Sequence, residues 1–338
     1  MARHYTIIHF WPVCGGFGKR MEMLEETLRR AGTVRRLRRF SDLLGWLRGD
    51  EFRCGHDTAI IYTTPLAPLA MLLRILRPQC PIFYMVRGDE VTYTAFAGRR
   101  FRSLVALIFQ KALAVAGCRF VFASADLRRV FVRRLGRIRR SSILPNTLGR
   151  PLPPSRPFDG RVALVGDFGT IKNIEHAIAA LDGAGFRVDL YGNRSLPPQW
   201  RRPWLHAHGN VEDLVARLRG SSLVVLASLS EGFSNVLVEA VEAGCGVAVH
   251  SEFPFRRLPI APAWRFDLSG RSNADGLRQV LDRLRAEQRN FKQENLRLVT
   301  LLESDWPARV LKIFAYSEAA ATGRTKEQEL QRCESHSA

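Results

Sequence analysis

The sequence lacks any apolar run long enough to cross a bilayer. Its most hydrophobic stretch, Leu104 to Gly117, is broken by Gln110 and Lys111 and falls short of the roughly 20 residues a spanning helix needs. No basic n-region with an apolar core and a small-residue cleavage site precedes the first strand-like run, so no leader is expected. Cysteine is sparse. Cys14, Cys54, Cys80, Cys118, Cys245 and Cys333 show neither CxxC pairing nor small-domain spacing, which argues against a disulfide scaffold and a zinc site and in favour of a reducing cytoplasm. No short internal repeat is visible. Acidic residues are scarce in one half only: residues 1–150 hold 27 Lys and Arg against 10 Asp and Glu, a net of +17, while residues 151–338 hold 24 against 22, a net of +2. A field so placed favours an anionic partner of the first half, such as a membrane surface or a phosphorylated acceptor. Nucleic acid is not expected, because no recognition helix or aromatic stacking motif accompanies the charge.

What is present reads as α/β. Apolar runs of about four to seven residues alternate with helical-period segments from end to end, the pattern of parallel sheets with crossover helices. In the first half the expected strands are Tyr5–Phe10, Thr58–Thr63, Pro81–Val86, Arg119–Ala123 and Ser142–Leu144, with helices near Lys19–Ala31, Leu66–Leu76, Arg99–Ala116 and Leu127–Leu135. In the second they are Arg161–Val165, Arg187–Tyr191, Leu223–Leu226 and Val247–Val249, with helices near Asn173–Leu181, Val211–Leu218, Asn235–Ala243 and Asn273–Arg289. The proline-rich segment 149–159 is read as a linker between a basic first domain, 1–148, and a second, 160–304. A helix over 305–318 and a frayed polar tail over 319–338 complete the expectation.

The chemistry concentrates in Ser230-Glu-Gly-Phe-Ser-Asn-Val-Leu-Val-Glu-Ala-Val-Glu-Ala-Gly244. Glu231 follows a buried strand, and the carboxyl edge of an open α/β sheet is where ligands bind. Gly232 and Phe233 lead to Ser234, an expected N-cap, and to a helix that stops at Gly244. Such a loop offers free amides at the positive end of a helix dipole, which suits a diphosphate, and Lys172 in the loop after an earlier strand supplies a point charge to it. Glu239 lies about 6–8 Å further along the helix, placed to accept a pair of ribose hydroxyls. Two glutamates eight positions apart are more often a solvated face. The glycine, aromatic and cap residues at fixed offsets after a strand reverse that reading here.

This window closely resembles the EX7E signature of the retaining family 4 glycosyltransferases, which have the GT-B fold. Other positions agree in order: Pro145-Asn146-Thr147, the loop from Gly166 to Lys172-Asn173, Gly192 after the next strand, the turn His208-Gly209-Asn210-Val211, and Trp306 opening the last helix. The resemblance spans about residues 5–316 and implies two facing Rossmann-like domains, a cleft between them, and a C-terminal helix crossing back to the first domain. It implies that Glu239 holds the ribose of a UDP- or GDP-sugar and Glu231 the hydroxyls of the sugar. Lys172 and the amides from Gly232 to Asn235 would hold the diphosphate, with Gly166, Asn173, Gly192, Asn210 and Val211 around the donor. Transfer would proceed with retention of configuration, without a metal or other cofactor, to a glycan or lipid-linked acceptor in cell-envelope or exopolysaccharide synthesis. On the acceptor side the resemblance reads Gly15, Gly16 and Phe17 as a glycine-rich turn lining the cleft, although these residues are equally a plain tight turn. Two positions depart from the family: Asp167 stands where its diphosphate-binding arginine would be, and Arg87-Gly88-Asp89-Glu90 where a histidine is usual.

Other readings stay open. A sugar-nucleotide epimerase or hydrolase of the same fold would need acid/base groups from both halves, for which Asp89 and Glu90 are the first half's offer. A non-catalytic nucleotide-sugar binder is kept alive by Asp167, and a nucleic-acid binder by charge alone. His208 is read as structural, and His250 has no evident partner. The arginines between Leu127 and Arg140 form either a solvated helix face or, with Arg99, Arg100 and Arg102, a contact for anionic lipid on the inner face of the cell membrane.

Overall fold

In the computed structural model, residues 3–9, 15–48, 57–61, 64–78, 80–154, 156–168, 171–192, 196–251, 254–267 and 273–314 are described. Among the described residues the first half alternates strands β1 (Arg3–Ile8), β2 (Gly32–Leu37), β3 (Asp57–Ile61), β4 (Ile82–Val86), β5 (Arg119–Phe122) and β6 (Ser141–Ile143) with six helices. These are α1 (Gly15–Arg29), α2 (Phe40–Arg48), α3 (Ala67–Leu76), α4 (Glu90–Phe96), α5 (Arg100–Val115) and α6 (Ala125–Leu135). The second half carries β7 (Arg161–Val165), β8 (Arg187–Tyr191), β9 (Leu205–Gly209), β10 (Leu223–Leu226), β11 (Gly246–His250) and β12 (Arg265–Phe266). Its helices are α7 (Ile174–Leu181), α8 (Leu214–Leu218), α9 (Asn235–Glu242), α10 (Asn273–Ala286), α11 (Phe291–Glu294), α12 (Leu296–Leu302) and α13 (Trp306–Phe314).

Each half forms one six-stranded sheet, ordered β2-β1-β3-β4-β5-β6 and β12-β11-β10-β7-β8-β9, with every pairing parallel. Helices cover both faces of such sheets, so the inner strands are apolar throughout rather than alternating. Every residue of β4 (Ile-Phe-Tyr-Met-Val) and of β10 (Leu-Val-Val-Leu) is buried. In the middle of the second sheet, Val224 of β10 aligns with Ala163 of β7 on one side and Val247 of β11 on the other.

The expected strands survive with ends moved by a residue or two, except that Phe10, Tyr62 and Thr63 lie outside the described residues. Elements absent from the sequence reading lie mainly at edges or are short. Strand β2 is the sequence Gly-Thr-Val-Arg-Arg-Leu, half-exposed at the sheet edge, where arginines replace the expected apolar run and block edge-to-edge pairing. Strand β9, Leu-His-Ala-His-Gly, is the opposite kind of edge, with three of its residues exposed. Helices α2, α4, α11 and α12 and the two-residue β12 were also not expected.

The last helix crosses to the first lobe. Trp306, Val310 and Phe314 are buried with Tyr5, Ile7, Leu24, Phe83 and Val121 in a cluster built on the first sheet. The Phe314 ring lies 4.6 Å from that of Phe83, and the Trp306 indole N–H donates to the Pro145 carbonyl at 3.1 Å. The Thr147 hydroxyl donates to the Leu302 carbonyl, so the segment leaving the first lobe is tied to the segment returning to it. Cys80, Cys118 and Cys245 are buried free thiols, and burial pushes the Cys118 and Cys245 thiols up to about 12, which leaves them unreactive.

Candidate functional site

Strand β10 ends at Leu226, and the chain then turns through Ser230-Glu231-Gly232 into α9. The Ser234 hydroxyl accepts from the Leu237 N–H at 3.3 Å, capping α9 as its sequence position suggests. The helix closes at Gly244, whose φ of +80° needs glycine. His250, at the end of β11, donates from Nε2 to the Ser228 carbonyl at 2.6 Å, which gives it a role the sequence left open: it anchors the loop that presents Glu231.

Gly232 is a glycine for a different reason. A Cβ there would stand 1.8 Å from the Arg87 carbonyl oxygen and 2.5 Å from its carbon, so the second lobe's loop lies directly on the loop after β4 of the first lobe. Asn146 fastens the same contact. Its Nδ2 donates to the Phe233 carbonyl at 3.0 Å and to Asn235 Oδ1 at 2.7 Å, and its Oδ1 accepts from Arg87 Nη1 at 3.0 Å.

Across this seam opens a cavity of about 580 Å³, with Arg87, Gly88, Asp89, Glu90 and Tyr93 on one wall and Ile171, Lys172, Ser230, Glu231 and Gly232 on the other. Lys172 Nζ lies 2.5 Å from Glu231 Oε1 on that second wall. The loop that carries Lys172 is shaped by two glycines. Gly166 has φ +147° and a Cβ on it would meet Lys172 Cγ at 3.0 Å, and a Cβ on Gly192 (φ +105°) would press on the Gly166 backbone at 3.2 Å. Asn173 follows in the left-handed region at φ +54° and starts α7. Asp167 is exposed, Asn210 is exposed, and Val211 is half-buried beyond the end of β9. His208 donates to or accepts from Asp189 at 2.7 Å and stacks on Tyr191, which is structural work at the sheet edge.

Glu239 is not among the residues that line this cavity. It faces the first lobe further along α9, where α1 lies against that helix. Lys19 Nζ stands 3.7 Å from Glu239 Oε1, and the buried Arg20 guanidinium sits near Glu242 and Glu239. Burial raises the Glu239 carboxyl above the usual glutamate range, while Lys19 and Arg20 pull it back and Glu242 adds to the rise. Burial likewise lowers Arg20, against the pull of Glu242 and Glu239. Glu242 accepts the Gly149 N–H.

Lys19 and Arg20 escaped the sequence reading. The signal lies in the expected helix start at Lys19: a Lys-Arg pair in a first turn, where the dipole disfavours cations, asks for an anion opposite. The glycine segment before them is itself helical, since α1 begins at Gly15; Gly15, Gly16 and Phe17 are therefore its first turn rather than a turn ahead of it, and Cys14 lies outside the described residues. Asp89 lines the cavity with its carboxylate already engaged. Arg134 Nη1 and Nη2 hold its two oxygens at 2.5 and 2.7 Å, and the Thr92 hydroxyl adds a third bond. Among the described residues no group of three or more His, Cys, Asp or Glu side chains is placed to hold a metal ion.

Two parallel Rossmann-like sheets meeting across a cleft, with the final helix returned to the first lobe, define the GT-B fold. Solved structures agree. The lipopolysaccharide outer core galactosyltransferase WaaB superposes with a TM-score of 0.65 at 12% identity over 94% of this chain and 99% of its own. HepE of Anabaena, in complex with UDP-glucose, gives 0.60 at 15% identity over 92% and 95%. A mutant of S. aureus TarM, in complex with Fondaparinux, alpha-GlcNAc-glycerol and UDP, gives 0.61 at 12% identity over 78% of this chain, which spans only 55% of that longer protein. No curated relative matches by sequence. The family model described as glycosyl transferases group 1 matches residues 161–253, the stretch holding Lys172, Glu231 and Glu239.

Proposed function

We propose that this chain transfers a sugar from a UDP- or GDP-sugar to a hydroxyl of a glycan or lipid-linked acceptor, with retention of configuration. The observation that carries this reading is the Lys172–Glu231 pair on the cavity wall, at the carboxyl edge of the second sheet and beside the capped start of α9. In the free chain each expected donor-binding carboxylate faces a lysine, Glu231 with Lys172 and Glu239 with Lys19. A diphosphate satisfies Lys172 and the first amides of α9, which frees Glu231 to accept sugar hydroxyls, while Glu239 accepts those of the ribose. As the bond between the anomeric carbon and the phosphate oxygen breaks, negative charge grows on that oxygen, where the lysine and the helix start stabilise it. The same oxygen takes the proton of the acceptor hydroxyl, whose oxygen bonds to the anomeric carbon on the face the phosphate leaves.

The matched family and the UDP-bound state of HepE and TarM support a UDP-type donor. The name of WaaB and the charge of the first half support a cell-envelope acceptor, and a cytoplasmic enzyme working at the inner face of the membrane. An epimerase or hydrolase loses ground, because the first lobe's best acid/base candidate, Asp89, is held by Arg134. Incubation with a panel of sugar nucleotides, read as thermal shift and nucleoside-diphosphate release, tests the proposal. A UDP- or GDP-sugar should stabilise the fold and be turned over; binding without release by any donor would leave a non-catalytic binder instead.

A further inference from the structure

Most of the exposed large apolar side chains among the described residues lie on the first lobe, on helices that are apolar on their outer as well as their inner faces. On α3, Ala67, Ala70 and Leu73 are buried, yet Met71, Leu72, Ile75 and Leu76, which share one helical face, are 42–77% exposed. On α5 the exposed face carries Phe101, Leu104, Ile108 and Val115 at 54–83%, while the polar Gln110 is fully buried with both amide atoms unpartnered. Helix α5 packs on both α3 and α4, and α4 carries the exposed Tyr93 and Phe96.

The charge around this surface has one sign. From residue 64 to 118 the only acidic residues are Asp89, buried against Arg134, and Glu90. At the start of α5, Arg99, Arg100 and Arg102 are exposed. At its other end Val115 borders a hollow of about 580 Å³ lined by Arg74, Arg137, Arg139 and Arg140. An apolar strip with cations at both ends matches an anionic bilayer, whose head groups meet the arginines while the apolar side chains enter the acyl boundary. The strip also reaches the site, since Tyr93 and Pro65 line the cavity between the lobes.

We infer that the face formed by α3, α4 and α5 docks on an anionic lipid surface and that the cavity draws its acceptor from that surface. The second clause rests on the transferase reading; the docking does not. Sedimentation of the full chain with phosphatidylcholine vesicles, with and without phosphatidylglycerol, tests both. Binding should require phosphatidylglycerol and weaken with salt. The double variant Ile75→Glu/Phe101→Glu changes only exposed side chains and should lose at least about tenfold in vesicle partitioning. Replacing Arg99, Arg100 and Arg102 by Gln should cost about fivefold per charge on the anionic vesicles. Both variants should keep the wild-type rate of donor hydrolysis in solution. With membranes of the producing cell supplied, labelled sugar should enter the organic-extractable fraction with the wild type and fail to do so with the double variant. Indifference of the wild type to phosphatidylglycerol vesicles would overturn the docking, as would a dimer in sedimentation velocity that the double variant dissolves, which would assign the face to a second copy. Vesicle binding without turnover of any sugar nucleotide would keep the docking and sink the transferase reading.

Discussion

The two lobes share a fold and divide the chemistry. The second lobe is nearly neutral and brings Glu231 and Lys172 together at the sheet edge within short loops. The first lobe is strongly basic; at the seam it offers cations from α1 and a backbone surface for Gly232 to lie on, and its buried acid is tied up internally. The second lobe keeps Lys172 and Glu231 paired at short range, whereas the first spreads its excess of cations over helices.

That contrast can be broken at four places. Removing either member of the second lobe's pair, by Glu231→Ala or Lys172→Ala, should lower sugar-nucleotide turnover about 100- to 1,000-fold with little change in melting temperature, measured as diphosphate release. In the first lobe the buried acid is gripped by an arginine. Arg134→Met leaves Asp89 buried and unpaired and should cost about 3 kcal/mol in denaturant unfolding, and a catalytic role for Asp89 would show as lost turnover in a still-folded protein.

At the seam, Gly232→Ala puts a methyl where the Arg87 carbonyl stands, so the lobes must part. Donor turnover should fall by about tenfold or more, a result that unchanged kinetics would refute. The smallest effect concerns pH. Glu239 keeps its proton to higher pH in the folded chain than a free glutamate, so its stability contribution falls as pH rises from about 4.3 through its raised value. With Glu239 holding the ribose as proposed, nucleoside-diphosphate affinity has the opposite sign, because hydroxyls donate more strongly to the charged carboxylate. Affinity should rise several-fold across that interval, and Glu239→Gln should flatten both slopes.

Legibility followed the same division. In the second half, β7, β8 and β10 fall on the residues their apolar runs mark, because strands buried on both faces carry an unbroken signal. The cap at Ser234 was readable because a cap is a contact three residues long. In the first half, β2 hid behind its arginines, since an edge strand exposed on one side need not be apolar. The sequence presents Gly232 as a step toward the Ser234 cap and as a backbone amide for a diphosphate, while its place where two backbones touch depends on Arg87, which no local pattern supplies.

From the chain's order of residues came two α/β halves and the window around Glu231 and Glu239, whose resemblance to the family 4 glycosyltransferases implied the GT-B class and made Lys172, Glu231 and Glu239 the donor-side candidates, because strand, turn and cap signals are encoded within a few residues. The tertiary structure alone decided that Lys19 and Arg20 oppose Glu239, that Arg134 grips the Asp89 carboxylate, and that α3 and α5 leave apolar side chains uncovered. The physical reason is range. Capping, turn and strand signals act between near neighbours in sequence, whereas burial and ion pairing depend on distances through space that exist only once both sheets have formed.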